Sequence, residues 1–231
     1  MSVYSKSKSF FLKITYLSLF SIALGYLEAA VVTYLRMQFY PHGFYFPLNN
    51  IVPDNVLLIE ILRELSTIAI LLIVANLSGK KFIERFGNFL FILGTWDIFY
   101  YIFLKITLGW PSSFFNKDIL FLIPFPWISP VLAPIIVSVT LIILSTFIYN
   151  KCNKDPSFSN LGKLEWIFFS LSSFFIFCSF VSESLFNQFK YLGLKIVIPS
   201  YSSDMLLWII FVVGELLLIL VITLLSRIKK Q

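Results

Sequence analysis

Six long apolar runs constrain most strongly what this chain can fold into. They cover residues 14–36, 55–78, 88–109, 131–149, 165–186 and 205–226. Each is close to the ~20 residues that an α-helix needs to cross ~30 Å of hydrocarbon. The runs lack the alternation of apolar and polar residues that a transmembrane β-strand requires. The sequence therefore predicts an all-α integral membrane protein, with residues 1–231 forming a single polytopic domain of six transmembrane helices.

Composition supports a membrane protein and excludes several other classes. Only 13% of the 231 residues are charged and 58% are hydrophobic, whereas soluble domains carry about 25% charged residues. A soluble enzyme, a disordered chain and a disulfide scaffold are all inconsistent with these values. The net charge is +6, but the chain has no basic and aromatic recognition motif, so we expect no nucleic-acid partner.

The distribution of Lys and Arg predicts the orientation of the helices. If the N-terminus lies in the cytoplasm, each of the four cytoplasmic segments contains three Lys or Arg residues, which is 12 of the 18 in the chain, and the outer segments contain four. This pattern follows the positive-inside rule. We therefore expect cytoplasmic N- and C-termini and an integral protein of the bacterial inner membrane.

Two segments between the runs are unusual. Residues 110–130 are rich in proline, and Pro124, Pro126 and Pro130 would break a helix. We predict that residues 119–127 form an interfacial or re-entrant piece before helix 4, either an interfacial helix or the wall of a cavity. The aromatic outer loop 37–53 either caps an outward-facing cavity or lies among lipid headgroups.

Ionisable residues inside the apolar runs are the main functional signal. They are Glu28, Glu60, Arg63, Glu64, Asp97 and Glu215. Each costs roughly 2.5–3.5 kcal/mol at the centre of a membrane helix, so we expect them to face the protein interior. At ~1.5 Å per residue all six lie about 8–18 Å from the outer helix ends. This common depth predicts one shared polar site.

Helical spacing adds two tyrosines to this site and indicates how the first helix packs. Tyr100 and Tyr101 share a helix face with Asp97, at spacings of three and four residues. The predicted ligand-binding residues are therefore Glu28, Glu60, Arg63, Glu64, Asp97, Tyr100, Tyr101 and Glu215. In the first run, small residues recur every four positions at Ser21, Gly25 and Ala29, a surface suited to close helix packing beside Glu28.

The charge balance of the predicted site constrains its chemistry. Five carboxylates accompany one internal cation, Arg63, and we expect Arg36 and Lys105 to reach in from the outer edge. The remaining negative charge cannot stay ionised in a medium of low dielectric constant. Either some carboxyl groups are protonated or the site binds a cation, such as a proton, Na⁺ or a divalent metal.

The candidate metal ligands are Glu28, Glu64 and Asp97. With a single histidine, the sequence is inconsistent with a bis-histidine haem site or a histidine-rich zinc site. It contains no nucleotide-binding motif either. We therefore expect neither haem nor a nucleotide, whereas a divalent cation remains compatible with the carboxylates.

Three functions are compatible with these residues. The first is small-molecule or ion binding and transport through an outward-facing carboxylate site, coupled to a cation or proton. The second is a membrane-embedded enzyme that acts on a lipid or amphiphile, with carboxylates as acid, base or metal ligands. The third is a structural subunit of a membrane complex, whose charges pair with another membrane protein. A structural network within the chain, such as an interhelical salt bridge from Arg63 to Glu60 or Glu28, is the alternative to a functional site. The expected partners are membrane lipids and either another membrane subunit or further copies of this chain.

Overall fold

The computed structural model describes residues 3–46, 48, 52–155, 157–191 and 203–227, with side chains for these residues except 3–9, 186–191 and 203–204. Six helices and one two-stranded sheet form within this part of the chain. The elements are α1 (Val3–Phe39), α2 (Asp54–Leu77), α3 (Phe82–Leu108), β1 (Lys117–Ile119), β2 (Ile128–Pro130), α4 (Leu132–Lys154), α5 (Lys163–Tyr191) and α6 (Ser203–Arg227). Each predicted apolar run matches one helix, and α1, α3, α4, α5 and α6 continue beyond their runs.

Helices that can cross a membrane dominate the fold. Among the described residues, five stretches are long and apolar enough to do so. They are Phe10–Phe39, Phe82–Leu108, Leu132–Lys154, Lys163–Leu185 and Met205–Arg227. The second helix, α2, is not among them because Glu60, Arg63 and Glu64 interrupt its apolar sequence. The chain is thus a helical membrane protein, and a sixth crossing by α2 stays a prediction.

The chain divides into two compact units. Unit 1 comprises residues 1–50, 67–113 and 137–160, and unit 2 comprises residues 51–66, 114–136 and 161–231. The helices α2 and α4 contribute residues to both units. The predicted site residues are divided equally, since four of the eight belong to each unit.

In unit 1, α3 packs closely against α1 and against α4. A Cβ atom added to Gly25 of α1 would lie 2.9 Å from the carbonyl oxygen of Trp96 in α3. Ser21 and Ala29, the neighbours of Gly25 on the same stripe, are fully buried. The small-residue surface predicted for the first run is therefore confirmed. A Cβ atom on Gly94 of α3 would lie 2.5 Å from the carbonyl oxygen of Ser138 in α4, so these two backbones also meet directly.

In unit 2, the proline-rich segment forms an antiparallel β-hairpin. The strands pair Lys117 with Pro130 and Ile119 with Ile128, and the Leu120 N–H donates to the Trp127 carbonyl beyond the strand ends. The expectation of an interfacial helix is therefore wrong. The prolines exclude a helix, as predicted, and the backbone groups that a helix would have satisfied pair across the hairpin instead.

The hairpin is attached to α5 within unit 2. The Lys117 ammonium lies 2.9 Å from a carboxylate oxygen of Glu183, and the Ser184 hydroxyl donates to the Pro126 carbonyl. The Trp127 ring packs edge-on against Phe177, with ring centroids 5.2 Å apart. These contacts fix both the strands and the turn of the hairpin on one helix.

The close approach of α3 and α4 leads to a prediction about the stability of a variant at Gly94. We expect Gly94→Ala to lower the free energy of unfolding by about 1–3 kcal/mol, because the added methyl group forces the two backbones apart. Thermal unfolding of the purified protein in detergent measures this change. Val139→Ile, which adds one carbon to an exposed side chain next to Ser138, should leave the melting temperature unchanged. Equal melting temperatures for the two variants would contradict the described packing.

Candidate functional site

Two polar residues of α2, Glu64 and Thr67, lie on one buried face of the helix. Glu64 and Thr67 are each only 5% exposed, and Leu71 and Ala75 continue the same stripe at helical spacing. The opposite face exposes large apolar side chains. These include Leu58, Leu62, Leu65, Leu72 and Ile73. The helix thus presents an apolar face suited to lipid and directs its carboxylates away from it.

In unit 2, Arg63 and Glu60 form an ion pair within α2. The Arg63 guanidinium donates to one Glu60 oxygen through Nε at 2.9 Å and through Nη2 at 2.7 Å. Their side chains are 20% and 12% exposed. The contact follows from their i,i+3 spacing on α2, so this salt bridge lies within one helix and is not the interhelical one that the sequence analysis considered.

Glu64 connects α2 to the hairpin of unit 2. One of its carboxylate oxygens accepts a hydrogen bond of 2.9 Å from the backbone N–H of Leu122, which lies in the turn between β1 and β2. A carboxylate is a strong acceptor for a backbone N–H that is not paired within a helix or a sheet. Glu64 therefore has a positioning role that sequence reasoning did not anticipate. Glu215 of α6, the other predicted acid in this unit, is 6% exposed.

In unit 1, the Glu28 carboxylate is held by a hydroxyl group. The Thr67 hydroxyl donates to Glu28 Oε2 at 3.2 Å and thereby links α2 to α1. Further along α1, the hydroxyls of Thr33 and Thr107 are 3.0 Å apart and link α1 to α3. These two polar contacts of α1 are thus made with hydroxyl groups on two neighbouring helices.

Asp97 also pairs with a hydroxyl group, in a polar seam between α3 and α4. The Ser138 hydroxyl donates to Asp97 Oδ2 at 2.7 Å. Two helical turns away, the Ser145 hydroxyl donates to the Gly87 carbonyl at 2.8 Å. The seam continues to Tyr149, whose hydroxyl donates to the Asn88 side chain at 2.9 Å.

Sequence reasoning missed this seam, although the sequence contains a signal for it. Gly87 and Gly94 are seven residues apart on α3, and Ser138 and Ser145 are seven residues apart on α4. Two antiparallel helices with small residues at matched spacing can place the glycine of one beside the serine of the other. The structure pairs Gly94 with Ser138 and Gly87 with Ser145 in this way.

The two predicted tyrosines of α3 are buried in unit 1. Tyr100 is 9% exposed and Tyr101 is 4% exposed, and their rings meet edge to face with centroids 4.9 Å apart. Glu28, Asp97 and these tyrosines belong to unit 1, whereas Glu60, Arg63, Glu64 and Glu215 belong to unit 2. A single site built from all eight residues stays a prediction.

The two outer cations have other partners than the sequence predicts. The Lys105 ammonium donates to the carbonyl oxygens of Gly109 and Pro111, at 3.0 and 2.8 Å, just beyond the end of α3. The Arg36 guanidinium lies against the rings of Phe44 and Trp110, 4.2 and 3.8 Å from their centroids. The expectation that both cations reach towards the carboxylates is therefore wrong for Lys105, which neutralises the carbonyl end of its own helix.

A metal centre has no support among the described residues. No group of three or more His, Cys, Asp or Glu side chains that can hold a metal ion occurs in that part of the chain. Of the three candidate ligands, Glu28 and Asp97 accept hydrogen bonds from hydroxyl groups and Glu64 accepts one from a backbone N–H. Their observed partners are thus hydrogen-bond donors.

Comparisons with known proteins do not assign a family. The chain matches no protein-family model, no curated protein and no solved structure. Its function has to be argued from its own residues and their contacts.

The Asp97–Ser138 hydrogen bond gives a prediction for the seam. We expect Ser138→Ala to destabilise the protein by about 1–2 kcal/mol, because a buried carboxyl group loses a donor. Thermal unfolding in detergent measures the change. Thr146→Ala removes an exposed hydroxyl of the same helix that bonds only to its own helix backbone among the described residues, and it should have little effect. If Ser138→Ala is equally destabilising in an Asp97→Leu background, which has no acceptor at this position, the two side chains do not interact.

The Glu64–Leu122 hydrogen bond gives a prediction for the hairpin. Glu64→Leu should accelerate hydrogen–deuterium exchange at the Leu122 amide, because the acceptor is lost. Glu64→Gln keeps a carbonyl oxygen in the same place and should exchange more slowly than the leucine variant. The Gly109 amide, which donates to Lys105 within unit 1, serves as the unaffected reference. Identical exchange at Leu122 in all three proteins would show that Glu64 does not hold the turn.

Proposed function

We propose that this membrane protein binds a small molecule or an ion through carboxylates held within its transmembrane helices, and that it transports this ligand together with a proton or another cation. The proposal rests mainly on one observation. Glu28 and Asp97 lie in two of the stretches that can cross a membrane, and both carboxylates accept hydrogen bonds from hydroxyl groups. An acid at such a position costs several kcal/mol in lipid, so a specific role is needed to account for it.

The chemistry of a hydroxyl partner favours reversible binding. A Ser or Thr hydroxyl can donate to a carboxylate, and after rotation it can also accept from a protonated carboxyl group. Both protonation states of Glu28 and Asp97 can therefore keep this partner. An Arg or Lys partner would favour only the ionised acid. A pair that tolerates both states is suited to taking up and releasing a proton or a cation during each transport cycle.

The proposed topology has six crossings with both termini in the cytoplasm. It includes α2 as the second crossing and follows from the three Lys or Arg residues in each segment assigned to the cytoplasm. In a bacterial inner membrane, the carboxylates would then lie between the outer surface and the middle of the bilayer. The ion pair of Arg63 with Glu60 would contribute the one internal cation of this layer.

Carbodiimide labelling tests the proposal. Dicyclohexylcarbodiimide modifies protonated carboxyl groups in apolar surroundings, and mass spectrometry of the full chain in lipid nanodiscs identifies the modified residues. We expect labelling of Glu28 or Asp97 that decreases as the pH rises and decreases further when Na⁺ replaces choline. Glu84→Gln, which removes an acid from the first turn of α3, should not change the pattern, whereas Asp97→Asn and Glu28→Gln should each remove one labelled peptide.

Flux measurements connect the labelling to transport. In proteoliposomes that contain a pH-sensitive dye, an imposed membrane potential should drive proton entry faster than in empty liposomes. Asp97→Asn should reduce this rate towards that of empty liposomes, because it removes a group that binds the proton. Labelling that is independent of pH and of Na⁺, together with no flux above background, would refute the proposal.

A further inference from the structure

One end of unit 1 carries most of its positive charge. At this end α1 and α3 begin and α4 ends, and the helices meet around Tyr149, whose ring centroid lies 5.5 Å from that of Phe10 and 5.6 Å from the Lys13 ammonium. The Lys81 ammonium donates to the Phe158 carbonyl at 3.4 Å, just beyond α4. We call this surface the basic face of unit 1. Its described Lys and Arg side chains are Lys13, Lys80, Lys81, Arg85, Lys151 and Lys154.

Two acids, Glu84 and Asp155, are the negative groups among the described side chains of the basic face. Glu84 accepts a hydrogen bond of 2.9 Å from the backbone N–H of Lys80. Asp155 accepts from the Ser157 hydroxyl at 2.6 Å and from the Ser157 backbone N–H at 2.8 Å, and these bonds lower the pKa of its carboxyl group below the ordinary value. Six positive charges thus accompany two negative ones, which leaves an excess of four positive charges on this surface.

The basic face lies at the depth of lipid headgroups. The stretches of α1, α3 and α4 that can cross a membrane have their ends here at Phe10, Phe82 and Lys154. Each of the six cations lies within three residues of one of these ends, which is at most about 5 Å along a helix axis. Lys80, Arg85 and Lys154 are exposed. Exposed cations at this depth meet the phosphate groups of the membrane surface, whichever way the protein is oriented.

We infer that the basic face of unit 1 is a docking surface for anionic phospholipids, whose headgroup phosphates bind its Lys and Arg side chains. The excess positive charge complements lipids with a net negative charge, and clusters of about four to eight Lys or Arg residues beside membrane helices are typical of such surfaces. A lipid is favoured over a soluble acidic partner because the basic face is continuous with the headgroup layer. At the opposite end of α3, by contrast, the Gly109 and Pro111 carbonyls bind the Lys105 ammonium. The inference does not depend on the proposed transport function.

Lipid titration tests the inference. The full chain in non-ionic detergent is titrated with short-chain phosphatidylglycerol, with phosphatidylcholine of the same chain length, and with inorganic phosphate, and binding is measured from the rise in melting temperature. We expect phosphatidylglycerol to bind more tightly than phosphatidylcholine, and we expect this difference to shrink at high salt, because salt screens exposed charges. Equal affinity for the two lipids would overturn the inference. Stabilisation by inorganic phosphate as strong as that by phosphatidylglycerol would also overturn it, because a free anion would then be sufficient.

Three charge-removing variants locate the bound lipid. Lys80→Gln and Lys154→Gln each remove an exposed cation of the basic face. Each should weaken phosphatidylglycerol binding about fivefold, which is the contribution of one positive charge near an anionic membrane surface. Lys105→Gln removes the same charge at the opposite end of α3 and should leave the affinity unchanged. Equal weakening by all three variants would mean that the lipid responds only to the net charge of the protein, and it would overturn the proposed surface.

Thiol labelling provides a test in which no basic residue is changed. The Cys152 thiol is half-buried and lies within electrostatic reach of Lys13 and Lys81, and Cys178 is the other cysteine of the chain. In the Cys178→Ser variant, the rate of reaction with a maleimide therefore reports on Cys152 alone. Phosphatidylglycerol should slow this reaction because its headgroup covers the neighbouring lysines, whereas phosphatidylcholine at the same concentration should not. An unchanged rate at saturating phosphatidylglycerol would place the lipid elsewhere and refute the inference.

Discussion

A polar group in hydrocarbon must find its hydrogen-bond partners within the protein, and this requirement determines most of the structure described above. Water is absent there, and each unsatisfied group costs several kcal/mol. In α2 the consequence is a division between two faces, with Glu64 and Thr67 buried and large apolar residues exposed on the opposite side. Apolar area alone would leave the rotation of such a helix poorly determined, because lipid and protein interior are equally apolar. The polar residues determine which face of the helix packs against the rest of the protein.

The same requirement explains how a non-helical segment is accommodated in unit 2. Residues 114–132 contain prolines that prevent a helix, so their backbone groups need partners of another kind. The strands pair with each other, and Val131 and Leu132 donate to the carbonyls of Asn116 and Phe114. In the turn, where strand pairing ends, Glu64 supplies an acceptor for Leu122. A buried acid can thus be retained because the backbone needs it, which is a different reason from ligand binding.

This difference separates the candidate carboxylates by the type of partner they have. Glu64 accepts from a backbone N–H and Glu60 from a guanidinium, and both donors favour an ionised carboxylate. Glu28 and Asp97 accept from hydroxyls, which can serve the ionised and the neutral acid alike. The sequence alone places these four acids in one predicted ligand-binding set, since all of them interrupt apolar runs. Their contacts make Glu28 and Asp97 the better candidates for reversible proton or cation binding.

The sequence predicted the parts of the fold that depend on one helix at a time. Apolar length located all six helices. It did not predict features that depend on how distant segments meet. The hairpin requires pairing of Lys117 with Pro130, and the seam of Asp97 with Ser138 requires the correct register of α3 on α4. Matched small residues signal this register only when the two helices are already known to be neighbours.

Arg36 and Lys105 illustrate the limit of charge counting. Both are positive residues in the last turn of a helix, where the carbonyl groups favour a cation, and the sequence gave both the same expected role. Lys105 does interact with the carbonyls beyond α3, which accounts for its charge without any ligand. Arg36 lies instead against two aromatic rings in the wall of a cavity. Its guanidinium makes cation–π contacts with Phe44 and Trp110. Two cations at the same position in their helices thus have different surroundings, and charge counting cannot distinguish them.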